Sequence, residues 1–206
     1  MPERIGIFGG TFDPPHLGHL ILASEAYDQL SLTRLLWMLT PRSPHKPDQD
    51  ISDTAHRVAM VERAIRDDSR FELSTLELDR PAPQYTLDTL LALRDLHPAA
   101  DLILLIGGDS LRDLPTWRSP ADLVRACREI GVMRRPGQTV EIEAVEAAIP
   151  GLREKVRFVD APLLEISSRE IRKRIAEGRS FRYFLPQAVH EYIVAQGLYG
   201  AELGAL

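Results

Sequence analysis

The chain has 206 residues, 44% of them hydrophobic, enough for one substantial core. Lys and Arg total 25 against 30 Asp and Glu, and a formal net charge of -5 argues against generic nucleic-acid binding. The single Cys127 excludes an intrachain disulfide, no run of about 18 apolar residues offers a membrane span, and the absence of a signal-peptide pattern points to a cytoplasmic protein.

Arg4-Ile5-Gly6-Ile7-Phe8 is short, apolar and bounded by glycine, the pattern of a buried parallel strand. Gly9-Gly10-Thr11-Phe12-Asp13-Pro14-Pro15-His16-Leu17-Gly18-His19 follows, and it leads into a helical pattern carrying Leu17, Leu20, Ile21, Tyr27 and Leu30. Such a turn lies at the carboxyl end of the first strand, where open α/β sheets bind ligands. Gly9 and Gly10 let backbone N–H groups approach an anion, and the helix start adds unpaired N–H groups and a favourable dipole. His16 and His19 are one helical turn apart and face the same way. Two imidazoles beside exposed amides suit a chain of phosphates. The stretch is neither the G-x-G-x-x-G dinucleotide fingerprint nor a P-loop.

Arg34–Thr40 reads as the second strand. Pro41–Asp53 fits no regular element and forms a loop on the ligand side, with His45 and Lys46 at its centre; loops so placed often act as lids. Asp53 or Thr54 can cap a helix through Arg66, with Val58, Val61 and Ile65 inward. Phe71–Leu78 alternates as a short strand, and Gln84–Leu90 begins a helix with Thr86 as its N-cap and free amides nearby. Asp101–Ile106 is the central strand and runs into Gly107-Gly108-Asp109-Ser110, a second glycine pair expected beside the first. Asp109 can accept hydrogen bonds from ribose hydroxyls or cap a short helix beginning at Ser110; Trp117 can stack on a ring or pack as core.

Ser119-Pro120 starts a helix to about Arg125, and Glu129–Met133 is a strand ending in Arg134-Arg135-Pro136-Gly137. Glu141–Ala148 is a surface helix and Val156–Val159 the last strand. Ser167 with Glu170 has the capping-box form, which brings hydroxyls, amides and a dipole to Arg172, whose planar guanidinium suits phosphate. Leu185-Pro186 opens a final helix on Val189, Tyr192 and Ile193, and Gln196-Gly197 closes it by a left-handed cap. The expected fold class is α/β: a Rossmann-like doubly wound parallel sheet over about 1–160 with a small C-terminal helical annex over about 161–200, in one domain.

Gly9–His19 resembles, at every motif position, the G-[GS]-[TS]-F-D-P-x-H-x-G-H signature of the nucleotidyltransferase superfamily, and it looks like its bacterial nicotinate-nucleotide adenylyltransferase branch. Tyr85-Thr86-x-Asp88-Thr89-Leu90, the spacing from Gly107-Gly108-Asp109 through Leu114 to Trp117, Arg135-Pro136-Gly137, Ile166-Ser167-Ser168 with Arg172, and Leu198-Tyr199 are similar to that family in the same order. The resemblance implies transfer of the adenylyl group of ATP to nicotinate mononucleotide, giving nicotinate adenine dinucleotide and pyrophosphate. It implies an ATP site of Gly9, Gly10, Thr11, Phe12, His16, Gly18, His19, Gly107, Asp109, Ser167, Ser168 and Arg172, with His16, His19 and Arg172 catalytic. It places the mononucleotide on Lys46, Thr86, Asp109, Trp117 and Arg135. Arg169 departs from the family's usual Ser or Thr, removing a hydroxyl and adding a cation.

Mg²⁺ is expected to enter with ATP, because six histidines and one cysteine without zinc-like spacing build no protein metal site. Partners are then ATP and nicotinate mononucleotide, with no nucleic acid and no membrane, and homo-oligomer formation is left open. Pantetheine-phosphate adenylyltransferases share the first motif and an Ile-Ser-Ser-like one, and do not usually carry the pair found here at Tyr85–Leu90 and at Gly107 through Trp117. A nicotinamide-nucleotide preference or a non-catalytic nucleotide sensor stays open at this level.

Overall fold

Alternation along the strands decides the architecture. Ile5, Ile7, Leu36, Met38, Leu104 and Ile106 face one side of a sheet, and Phe8, Leu35, Trp37, Ile103 and Leu105 face the other; each set belongs to its own buried cluster. A sheet buried on both faces needs helices on both. The computed structural model describes residues 2–41, 51–134, 142–162 and 164–201. His45, Lys46 and Arg135 lie outside these residues.

The strands are β1 (Arg4–Gly10), β2 (Arg34–Leu39), β3 (Phe71–Ser74), β4 (Asp101–Gly107), β5 (Glu129–Arg134) and β6 (Val156–Asp160). They form one six-stranded, wholly parallel sheet in the order β3-β2-β1-β4-β5-β6. The order reverses at β1, which pairs with β2 on one side and β4 on the other, Phe8 lying opposite both Trp37 and Leu105. The crevice at the carboxyl ends of β1 and β4 is therefore the switch point where doubly wound sheets take ligands.

Helices α1 (Leu17–Gln29) and α2 (Thr54–Ile65) bury Ala23, Ala26, Val61 and Ile65 against the Trp37 face. Helix α3 (Thr86–Leu96) buries Leu90 and Leu93 against the opposite face, joined by α4 (Gly108–Asp113), α5 (Pro120–Ala126), α6 (Ile142–Ala148) and α7 (Leu152–Lys155). Helices α8 (Ser168–Ala176) and α9 (Gln187–Ala195) build a third cluster from Ile171, Ile175, Phe181, Leu185, Val189 and Ile193, closed by Met60 of α2. No helix among the described residues is long and apolar enough to cross a membrane.

Three local expectations are corrected. The strand expected over Phe71–Leu78 stops at Ser74, where Leu78 N–H turns back to the Thr75 carbonyl at 2.7 Å and Glu77 becomes buried. Thr86 is the first helical residue of α3, and extended Tyr85 (φ -89°, ψ 139°) is its N-cap. The seated face of α1 is made of small residues, Gly18, Ala23 and Ala26, while Leu20 and Ile21 stay half-buried. Small side chains bring the helix close to the sheet: a Cβ on Gly131 of β5 would lie 2.6 Å from Leu30 Cδ1 at the end of α1.

Candidate active site

His16 is the N-cap of α1, with extended backbone, and its Nδ1 accepts the His19 N–H at 3.3 Å. His19 returns the bond: its Nδ1 accepts the His16 N–H at 3.2 Å. The two imidazoles thus build the capping box that Ser and Glu usually make. They stack with ring centroids 3.6 Å apart. With each Nδ1 an acceptor, the proton of each neutral ring resides on Nε2. Burial, and secondarily the neighbouring His16, hold the His19 pKa well below the ordinary histidine range. His19 also meets Phe8 and Phe12 edge-on, at 6.0 and 5.2 Å between centroids.

Phe12 was expected among the ATP contacts. Its side chain is instead buried in this aromatic cluster, with a positive φ of 47°. It supports His19 from behind. Gly18 has the opposite reason for its identity: a Cβ there would come within 3.1 Å of His16 Nδ1 and 3.7 Å of Ile166 Cβ.

That second distance places the start of the Ile166-Ser167-Ser168 motif against the first one. Ser168 Oγ donates to the Pro14 carbonyl at 2.8 Å, and Arg172 Nη1 donates to the Asp13 carbonyl at 2.6 Å and lies 3.8 Å from Asp13 Oδ2. His16, His19, Ser168 and Arg172 therefore share one wall of one site, although they come from the two ends of the chain. The serines divide their work in an unexpected way. Ser167 is the N-cap of α8 and accepts the Glu170 N–H at 3.2 Å, which leaves its hydroxyl proton to donate. The Ser168 hydroxyl proton is already spent on Pro14, so that residue offers an anion its backbone N–H.

Gly9 and Gly107 stand at the carboxyl ends of β1 and β4, and a Cβ built on either would meet nothing within 4 Å. They leave open floor at the switch point. Gly10 differs, because a Cβ there would press on the Phe12 ring at 3.0 Å. Thr11 gives its carbonyl to Arg57 at 3.0 Å. Asp109 belongs to the first turn of α4, makes no cap, and pairs with Arg112 at 3.3 Å on the surface. Trp117 is half-buried against the core under α3. Its neighbour Arg118 bonds Asp88 at 3.1 Å and covers the Tyr85 ring at 4.5 Å, which ties Trp117's segment to the first turn of α3 beside Thr86. The N–H groups of Thr86, Leu87 and Asp88 have no acceptor within the helix.

Three residues of the site escaped sequence reading. Asp13 is 1% exposed and takes a 2.6 Å bond from Tyr199 Oη and a 3.1 Å bond from the Ser52 N–H. Arg57, also 1% exposed, spends all five guanidinium protons on Thr11, Thr40, Pro41 and Ser52 carbonyls and on Thr54 Oγ1. The signal for Arg57 was available: it occupies the apolar stripe of α2 with Val61 and Ile65, where a charge has to be satisfied internally. Glu77 had no such signal. It is buried beneath α3, accepts the Thr89 hydroxyl at 2.7 Å, and its carboxyl pKa is raised by burial.

Residues 7–174 match the family model described as cytidylyltransferase-like. A protein of Thermomicrobium roseum named "Probable nicotinate-nucleotide adenylyltransferase" is 43% identical over 197 residues, covering 96% of this chain and 92% of that one. One of the same name from Thermus thermophilus is 44% identical over 196 residues, covering 95% and 99%. The chain belongs to the nicotinate-nucleotide adenylyltransferase family. This member of the nicotinate-nucleotide adenylyltransferases has the fold of a solved Plasmodium falciparum nicotinic acid mononucleotide adenylyltransferase complexed with NaAD, at a TM-score of 0.78 and 21% identity over 97% of this chain and 98% of that one. The same protein complexed with APC gives 0.77.

Proposed function

We propose that the protein transfers the adenylyl group of ATP to nicotinate mononucleotide, giving nicotinate adenine dinucleotide and pyrophosphate. What carries this reading is the docking of Arg172 and Ser168 on Asp13 and Pro14, next to the histidine pair. That arrangement gathers donors from both ends of the chain at one place.

The acceptor is a phosphate whose second pKa is about 6, so at neutral pH it is largely a dianion and needs no general base. A lone pair on its oxygen forms the new bond to the α-phosphorus of ATP, and the bonding pair to the bridging oxygen leaves with pyrophosphate. No proton has to move. The protein's task is to hold two polyanions in line and to stabilise charge on the departing group. The Nε2–H donors of His16 and His19 serve the triphosphate, and the depressed pKa of His19 keeps it a neutral donor. Arg172, the Ser167 hydroxyl and the α8 amides serve the terminal phosphates. Lys46 offsets repulsion as the mononucleotide phosphate arrives. The amides at the start of α3 receive the nicotinate carboxylate beside Trp117, and Asp109 and Arg135 complete the mononucleotide's surroundings.

Among the described residues no three His, Cys, Asp or Glu side chains gather into a metal cage. A donor set of imidazoles, guanidinium and amides fits a phosphate chain that would bring its own Mg²⁺. When bound, that ion neutralises charge building on pyrophosphate. The deciding experiment is pyrophosphate release with ATP and nicotinate mononucleotide, then with nicotinamide mononucleotide or phosphopantetheine in its place. Release is expected with nicotinate mononucleotide, together with a dinucleotide product by mass spectrometry. No release, or faster release with another acceptor, overturns the assignment.

A further inference from the structure

Arg172 reaches the site with its side chain 22% exposed and with a buried carboxylate behind it. The hydrogen bond of its Nη1 goes to the Asp13 carbonyl at 2.6 Å, while Asp13 Oδ2 stays at 3.8 Å, too far for a strong charge-assisted bond. An isolated carboxylate at this distance would pull a guanidinium into a bidentate pair and take up the donors a phosphate needs. Asp13 does not: each oxygen keeps acceptor capacity, but two hydrogen bonds fix the plane of the carboxylate and hold Oδ2 at 3.8 Å from Nη1. Oδ1 accepts the Tyr199 hydroxyl at 2.6 Å, and Oδ2 accepts the Ser52 N–H at 3.1 Å. Tyr199 comes from the turn after α9, at the far end of the described chain, where it holds a left-handed φ of 60° unusual for a tyrosine. A residue kept in that backbone conformation with its hydroxyl on a buried carboxylate is held there by its surroundings. Burial and the adjacent Asp13 raise the phenol's pKa, so it stays a donor at working pH.

We propose that Tyr199 is a positioning residue for phosphate binding: by holding Asp13 Oδ1 it keeps Asp13 from capturing Arg172, and so leaves Nε and Nη2 of Arg172 for the β- and γ-phosphates of ATP. The proposal rests on the adenylyltransferase reading for the identity of the polyphosphate. Its chemistry requires only that a polyphosphate meets Arg172. Tyr199→Phe removes the hydroxyl, with its 3.9 Å contact to Met60 Sδ, and leaves the ring packed against the cluster of Met60, Ile171 and Ile175.

The test is a double-mutant cycle on Mg²⁺-ATP affinity, measured by titration calorimetry, with initial-rate kinetics alongside. Tyr199→Phe is expected to weaken ATP binding about tenfold, the weight of one charge-assisted hydrogen bond, and to raise the KM for ATP while leaving the KM for nicotinate mononucleotide within about twofold. In an Arg172→Ala background the same change is expected to have no further effect on ATP affinity. A general loosening of structure would instead weaken both substrates, and its effect would add to that of Arg172→Ala. ATP affinity within twofold of wild type for Tyr199→Phe, or full additivity in the cycle, overturns the proposal. If Tyr199→Phe proves poorly folded, Tyr199→His, which keeps a side-chain donor and tolerates a left-handed φ, is expected to bind Mg²⁺-ATP about tenfold more tightly than Tyr199→Ala; equal affinity in the two overturns it. Wild-type protein that binds ATP without transferring it would sink the adenylyltransferase reading alone, since the calorimetric cycle needs no turnover.

Discussion

A histidine in the capping position solves two problems with one side chain. It satisfies a backbone donor at the start of α1, and in doing so it spends Nδ1 and fixes the proton on Nε2. With the fold intact, His19→Ala is expected to lower kcat by about 100-fold, the usual consequence of deleting one donor that stabilises developing charge. Steady-state turnover of purified variant and wild type measures this, and rates within threefold of each other would remove His19 from the mechanism. The same ring predicts a pH effect on stability. Its folded pKa is depressed, chiefly by burial. As pH falls below about 6.5, the ordinary histidine value, the unfolded chain takes up a proton that the folded ring refuses. The unfolded state then binds more protons, so stability is lost as pH drops through that window and regained as it rises. Urea unfolding between pH 5 and 7 is expected to show a shallower loss in His19→Gln than in wild type. An unchanged slope would mean that the ring titrates normally.

Elements meet at this site with little slack. The start of α1 approaches Ile166 across Gly18, and a methyl group there would press on the His16 ring at 3.1 to 3.2 Å. Gly18→Ala is expected to separate stability from activity. Alanine favours a helix over glycine by up to about 1 kcal/mol, which offsets the local crowding. The melting temperature should therefore stay close to wild type, while the displaced imidazole lowers turnover about tenfold or more. Thermal melts and initial rates on one preparation check both halves. Arg57 shows the same economy on α2, where one guanidinium holds the end of β2, the Gly-Gly-Thr turn and the entry to its own helix. A residue reading of α2 found Val61 and Ile65 correctly. It could not find what Arg57 does, because four of its five acceptors are carbonyls, which every residue carries alike.

At the scale of the molecule, α2 links the parts. Val61 and Ile65 pack on the sheet, and Met60 closes the cluster of α8 and α9. We propose that sheet and annex form one cooperative unit, and expect a single urea transition seen alike by far-UV circular dichroism and by the fluorescence of Trp37 and Trp117. Met60 is fully buried, so Met60→Ala should cost about 2–5 kcal/mol and shift the whole transition. Two separated transitions would show that the annex folds by itself. Cooperativity also bears on function, because Arg172 and Tyr199 belong to the annex and Asp13 to the sheet.

The order of elements, the parallel sheet and the pairing of His16 with His19 at a helix start were legible in the sequence, since period-2 and period-3.6 patterns, glycine pairs and one-turn spacings are local properties. The paired glycines at the ends of β1 and β4, and the neighbourhood of His16 with Arg172, followed from motifs that announce themselves along the chain. Partner choice was not legible. Phe12 turned inward to back His19, Ser168 gave its proton to Pro14 while Ser167 kept its own, and Asp13 became the meeting point of Ser52, Arg172 and Tyr199. Each of those outcomes depends on which donor and which acceptor remain unpaired after distant segments pack. That is decided by the three-dimensional arrangement, because a hydrogen bond between residues 13 and 199 leaves no period or spacing behind it in the chain.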